Sequence, residues 1–218
     1  MNYFKIMKVQ DKPPKQRTEV RQASLVEAAL LLAAQRSPAD ITTADLARAV
    51  GISQGAVFKH FASKEAIWLA VLDWVAGTLM TRLQSAAANA DRAALPALRA
   101  VFLAHVDFVT RYPGVPRLIF QELQHPGDTA LKSRVRELMQ RYRQLLLAVL
   151  QHAKTQQALR PDVDLRAAAV LFIGSVQGLV MQALLADDVH AMAAQAPGVF
   201  AILQQGLQCQ PIEFQGNS

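Results

Sequence analysis

Twenty residues constrain the fold of this chain more tightly than any other stretch: Thr42-Thr43-Ala44-Asp45-Leu46-Ala47-Arg48-Ala49-Val50-Gly51-Ile52-Ser53-Gln54-Gly55-Ala56-Val57-Phe58-Lys59-His60-Phe61. They read as two short helices, predicted over 43–50 and 54–61, joined by a tight turn. Ala47 is small enough to let the helices approach, and Gly51 takes the positive φ that a β-carbon resists. Leu46, Val50, Ile52 and Val57 are the apolar pins of the crossing. Thr42 is placed to cap the first helix, with Asp45 three residues on as a near capping box, and Ser53 is placed to cap the second. This is the layout of a helix-turn-helix, whose second helix lies in the major groove of DNA.

The flanking sequence is helical as well. A helix over 17–36 puts Leu25, Ala28, Ala29 and Leu32 on one face and is stopped by Ser37-Pro38, after which Ile41 drops into a small core. Ser63-Lys64-Glu65 opens a longer helix whose apolar face is Ile67, Trp68, Val71, Leu72, Val75 and Leu79. Further helices are expected over 92–112, 114–124, 128–157, 164–186 and 197–208, with an extra turn within 187–195. Tyr112-Pro113-Gly114, Pro161-Asp162 and Ala196-Pro197-Gly198 mark the breaks. With 52% hydrophobic and 18% charged residues in 218, the chain is rich enough in apolar surface to bury a real core. The expected fold is all-α: a basic arm over 1–16, a three-helix DNA-binding domain over 17–63 and a helical C-terminal domain over 64–218, about nine helices altogether.

Charge placement agrees. Residues 1–70 hold ten Lys/Arg against six Asp/Glu, and residues 71–218 hold thirteen against eleven, so the excess of the +6 net charge lies around the helix-turn-helix. A basic surface attracts polyanions through counterion release. The segment before residue 17, with Lys5, Lys8, Lys12, Lys15 and Pro13-Pro14, reads either as an arm touching DNA or as a plain disordered terminus. The single Cys209 excludes an internal disulfide, and no continuous apolar stretch follows the first lysines, so a cytoplasmic protein is expected.

The pattern Thr42-Thr43-x-x-Leu46-Ala47-x-x-x-Gly51-Ile52-Ser53-x-Gly55-x-Val57-Phe58-x-His60-Phe61-x-Ser63-Lys64-Glu65 closely resembles the N-terminal domain of the tetracycline-repressor (TetR) family. The remainder resembles the family in length and helix pattern. The resemblance implies a homodimeric transcription regulator, usually a repressor, without a cofactor. Each subunit sets its second motif helix in one of two successive major grooves of a near-palindromic operator, about 34–36 Å apart. Position by position it carries DNA contact to Thr43, Gln54, Gly55, Ala56, Phe58, Lys59, His60 and Lys64. Gln54 suits adenine, Lys59 a guanine edge or a phosphate, and Thr43 and Lys64 phosphates at helix N-termini. The family usually has tyrosine where this chain has Phe58, which removes a phosphate hydrogen bond worth about 0.5–1.5 kcal/mol.

The resemblance also implies a small-molecule effector in the C-terminal domain. Phe102, His105, Val106, Phe120, Glu122, Met139, Tyr142, Phe172 and Met181 are the candidates for an apolar cavity with a few polar groups, against the plainer reading that each is a core residue. The effector would be apolar or aromatic. The uncharged stretch 167–186, containing Leu171 and Gly174-x-x-x-Gly178, is long enough to span a membrane. Gln177, Gln182 and the lack of flanking aromatic belts favour a subunit interface instead, with Val199 and Leu203 on a partner helix in a four-helix bundle, and no membrane contact. A metal-dependent enzyme built on His105, Asp107, Glu122, His125 and Asp128 is disfavoured, because these spacings are common by chance; no catalytic or metal-ligating residue is assigned. The expected function is a repressor released from its operator by a small apolar molecule. The alternative is a ligand-independent architectural or nucleoid-associated DNA-binding protein of the same fold.

Overall fold

The computed structural model describes residues 14–90 and 93–208; residues 1–13 of the arm expected over 1–16, and Cys209, lie outside them. Nine α-helices make up the described chain: α1 (Pro14–Gln35), α2 (Thr43–Val50), α3 (Gln54–Val57), α4 (Lys64–Ala88), α5 (Ala94–Arg111), α6 (Gly114–Gln124), α7 (Ala130–Thr155), α8 (Leu165–Ala186) and α9 (Ala191–Leu207), with one 3-10 turn at Pro38–Asp40. Helix α1 starts at Pro14, so Lys15 belongs to a helix and not to an arm.

Local chemistry sets the start of the motif. Thr42 Oγ1 accepts from Asp45 N at 3.1 Å while Asp45 Oδ2 accepts from Thr42 N at 2.9 Å, a complete capping box. Gly51 closes α2 at φ 72°, and Ile52 N donates back to Ala47 O at 3.0 Å. Ser53 and Ser63 cap α3 and α4, accepting from Ala56 N and Ala66 N.

Helix α3 is much shorter than the expected 54–61. After Val57 the chain tightens, and both His60 N and Phe61 N donate to Val57 O. Phe61 must turn inward to be buried, and Gln22 Nε2 from α1 donates to His60 O at 2.9 Å, satisfying a carbonyl that a longer helix would have paired itself.

Helix α4 crosses from the head into the body, burying Ile67, Val71, Leu72, Val75, Leu79 and Leu83 and packing against α1, α5 and α7. The body core is ring-rich: Phe102 meets Phe172 edge-on at 5.3 Å and Phe200 at 5.4 Å. Head and body also touch through α6. A β-carbon on Gly114 would lie 2.6 Å from Leu30 O of α1, so only glycine permits this approach.

Helix α9 departs from the expected 197–208, because Pro197 sits inside it. Pro197 lies on the exposed side, so its missing N–H leaves a carbonyl that water can reach, and the helix runs on. By length and composition α4 and α8 are each apolar enough to cross a membrane. In the fold α8 buries Phe172, Ile173, Val176, Leu179 and Val180 on one face and leaves the other exposed.

Candidate functional site

The first candidate is the outer surface of the head. Gln54, Gly55, Phe58 and Lys59 are exposed on and just after α3, Ala56 is half-buried, and Val57 anchors the turn from beneath. Thr43 and Lys64, the first residues of α2 and α4, stand at helix N-termini where N–H groups and dipole favour an anion. Several of these groups are engaged within the chain. Gln54 Nε2 donates to Thr43 Oγ1 at 2.9 Å, which holds the amide between α2 and α3. Lys64 Nζ donates to Ala39 O at 2.8 Å, so its ammonium rests on the 3-10 turn. His60 is tied through its carbonyl, and its Nδ1 is buried without a hydrogen-bond partner among the described residues.

Charge in the head is partly compensated. Asp45 pairs with Arg36 at 2.9 Å and Arg48 at 3.3 Å. The backbone N–H and hydroxyl of Thr42, then Arg36, hold its carboxyl at about 2. Lys59 makes no ion pair among the described residues and so offers its full charge to solvent.

The second candidate is a chamber of about 90 Å³ between α4, α5, α6, α7 and α8. His105, Phe120 and Met139 line it as expected; Phe108, Ile119 and Val176 complete much of the wall. The other candidates fall elsewhere. Phe102, Val106 and Phe172 are buried in the core behind it. Glu122 is buried at the end of α6, accepting from Thr129 Oγ1 at 3.3 Å. Met181 is 46% exposed, on the opposite face of α8. Tyr142 does not line the chamber but stands behind His105, its hydroxyl 3.0 Å from His105 Nδ1. Burial holds His105 down at about 4 and pushes the Tyr142 hydroxyl up. A larger groove of about 620 Å³ runs between α1, Trp74, the end of α5 and His190; no sequence signal points to it.

The third candidate is the outer face of α8 and α9. Leu171, Gly174, Gly178 and Met181 share one exposed stripe that ends at Leu185, 75% exposed. On α9 the exposed apolar residue is Ile202 at 73%; Leu203, the expected interface residue, is buried in its own subunit and Val199 is half-buried. One position along a helix turns a side chain by about 100°, enough to exchange inside for outside. Val170, Leu185 and Ile202 carry no expectation from the sequence; for Leu185 the i, i+4 spacing from Met181 is the available signal.

The carboxylates and histidines weighed for a metal site are dispersed: Asp107 pairs with Arg82 and Arg111, Asp128 with Arg136, Glu122 with Thr129 and His105 with Tyr142.

Comparison with known proteins places both halves of the chain in one family. Residues 25–71 match the model of bacterial regulatory proteins of the tetR family, and residues 119–197 match the tetracyclin repressor-like C-terminal domain. The chain is 26% identical over 187 residues to the nucleoid occlusion factor SlmA of Vibrio campbellii, covering 86% of this chain and 95% of that protein. A TetR transcriptional regulator from Chloroflexus aurantiacus superposes with a TM-score of 0.75 at 21% identity, covering 90% of this chain and all of the other. The ketosteroid transcriptional regulator KstR2 of Mycobacterium tuberculosis gives 0.73 at 20% identity, covering 87% and 96%. With a capped helix-turn-helix head on an all-helical body, and family matches at both ends, the chain belongs to the tetR family of DNA-binding transcriptional regulators.

Proposed function

We propose that two copies pair through the outer faces of α8 and α9 and act in the cytoplasm as a repressor, each head reading one half-site of a near-palindromic operator. Gln54, Gly55, Ala56, Phe58 and Lys59 would face the bases, while Thr43, His60 and Lys64 would support phosphate contact. The observation that carries this reading is the arrangement of the head: an exposed α3 surface with an uncompensated Lys59, flanked by the N-termini of α2 and α4. Lys64 would have to exchange Ala39 O for a phosphate oxygen, both strong acceptors.

An effector would act through α6. This helix supplies Val115, Pro116, Ile119 and Phe120 to the chamber. It also touches the head, where Gln121 Oε1 accepts from Ala39 N at 3.1 Å and Gly114 abuts α1. A molecule that widens the chamber and displaces α6 would disturb the turn that holds Lys64. Such coupling is typically about 1–3 kcal/mol.

The test is selection of bound DNA by the purified protein, followed by anisotropy titration across salt. Lys59→Ala should weaken every sequence and lower the salt slope by about one. Gln54→Ala should relax preference at one position by about 1–3 kcal/mol. Unchanged sequence profiles and slopes would reject the assignment. A second reading, a ligand-independent DNA-binding protein, is favoured by the small chamber and by the likeness to SlmA. It predicts that no apolar compound releases the DNA.

A further inference from the structure

We infer that the chamber takes a neutral, largely apolar molecule bearing a hydrogen-bond acceptor such as a carbonyl oxygen, which receives the Nε2–H of His105; that such a molecule is the effector rests on the regulator reading above. Three features of the site lead there.

The wall carries no charged side chain. It is built from Leu79, Phe108, Val109, Ile119, Phe120, Met139 and similar apolar groups, with His105 and Gln177 as its polar side chains. Gln177 is exposed and belongs to the mouth. A carboxylate or ammonium group entering this space would lose its water and meet no counter-charge, a cost that far exceeds what the remaining contacts return.

The one polar side chain inside is held in a defined state. Tyr142 is fully buried, and its hydroxyl proton needs an acceptor; His105 Nδ1 at 3.0 Å is the one the described residues supply. With Nδ1 accepting, the neutral ring carries its proton on Nε2. The rings of His105 and Tyr142 meet edge-on at 5.1 Å, which fixes the orientation as well as the tautomer. Burial also keeps the imidazole neutral, because the cation would be desolvated. Nε2–H has no hydrogen-bond partner among the described residues, so the ring presents the chamber with a single donor. Tyr142 is thus a positioning residue, acting on the ligand through His105.

Size narrows the class further. The chamber's 90 Å³ is below the roughly 150 Å³ that accommodates benzene in an engineered apolar cavity. A ring-sized ligand therefore enters by moving Met139, with its flexible thioether chain, and Leu123, which is half in solvent at the mouth.

The experiment uses three molecules of equal heavy-atom count: acetophenone, isopropylbenzene and benzoate. Each is titrated into the full-length protein and followed by the Met139 methyl resonance. Acetophenone should bind about tenfold more tightly than isopropylbenzene, the increment of one good hydrogen bond, and benzoate should not bind. His105→Phe should abolish the acetophenone advantage while retaining isopropylbenzene. Tyr142→Phe should shrink the advantage and change the ring ¹⁵N shifts of His105 from the Nε2–H pattern to mixed tautomers, which a merely structural role would not do. Equal affinities in the wild-type protein, preference for benzoate, or no response of Met139 to any of the three would overturn the inference, and none of these outcomes depends on a variant folding. Operator binding is measured separately on the same samples. Intact DNA binding with a chamber that shows no such preference sinks the ligand class alone, whereas loss of sequence-specific DNA binding sinks the regulator reading whatever the titrations give.

Discussion

The head and the body are both helical, yet a local cap opens every element of the head's motif and only some helices of the body. In the head, Ser37, Thr42, Ser53 and Ser63 each accept a backbone N–H of the turn they open. In the body, Thr129 and Asp164 open α7 and α8 in the same way, whereas no N-cap side chain bonds into α5, α6 or α9. Ala94 N of α5 donates to Gln156 Oε1 at the end of distant α7, and Ala191 N of α9 to Asp188 Oδ1. Local hydrogen bonds fix where a helix starts. Packing fixes which way it faces. A head whose helix starts are fixed by local bonds holds the turn between α2 and α3 in place, which suits a surface that must present polar groups outward. A body organised by packing can be altered by whatever enters the packing.

The largest predicted effect probes the body. Phe172→Ala removes a ring that is 1% exposed and touches both Phe102 and Tyr142. It should cost about 3–5 kcal/mol in urea unfolding, as for buried aromatics generally. A loss below about 1 kcal/mol, within what a surface change produces, would contradict a packing-held body. Gly114→Val strikes the seam between the regions by pushing a side chain into α1 backbone 2.6–2.9 Å away. A loss of about 3 kcal/mol is expected, with Trp74 fluorescence reporting the change near the seam. If the midpoint stays put, the head is not docked on α6 as described.

Thr42→Ala tests the head's dependence on caps and should cost about 1 kcal/mol. Hydrogen exchange should quicken in α2 and stay unchanged in α8; uniform quickening would erase the distinction between the regions.

The remaining effect is a pH dependence in the body. His105 is held at about 4 in the fold against 6.5 for an ordinary histidine. Between those values the unfolded chain binds more protons, so stability falls as pH drops from about 6.5 towards about 4. The groups around the ring are Tyr142 and the apolar chamber wall, so this step is the histidine's own. His105→Phe should remove that step while leaving the stability loss that Asp45 brings as pH falls from about 4 to about 2. Superimposable acid-unfolding curves for wild type and variant would reject the assignment.

The same contrast explains which residues were legible. Thr42, Asp45, Gly51 and Ser53 announce their roles because capping and a left-handed turn depend on neighbours within a few positions. The start of α9 differs from the expected one because Pro197-Gly198 is the strongest local signal nearby, while the contact that opens the helix, Asp188 Oδ1 accepting from His190 N and Ala191 N, lies well before it. Gly114 looked like a helix breaker after Pro113; its close approach to Leu30 depends on a helix far away in sequence. Met181 and Leu203 lie on faces other than those expected, and Ile202 carries no expectation, because α8 and α9 are apolar nearly all round, and composition without a polar side gives no phase.

Sequence alone therefore determined the all-helical class, the helix-turn-helix and the family, since each rests on propensity, capping and a contiguous motif. Tertiary structure decided the rest. It shortened α3 so that Phe61 could be buried, set Lys64 on Ala39 O, and separated a small chamber from the core that surrounds it. It also joined His105 to Tyr142 across 37 positions of chain. That pairing is long-range, and no local preference of either residue encodes it; only helices α5 and α7 packed side by side bring the two groups within reach of one hydrogen bond.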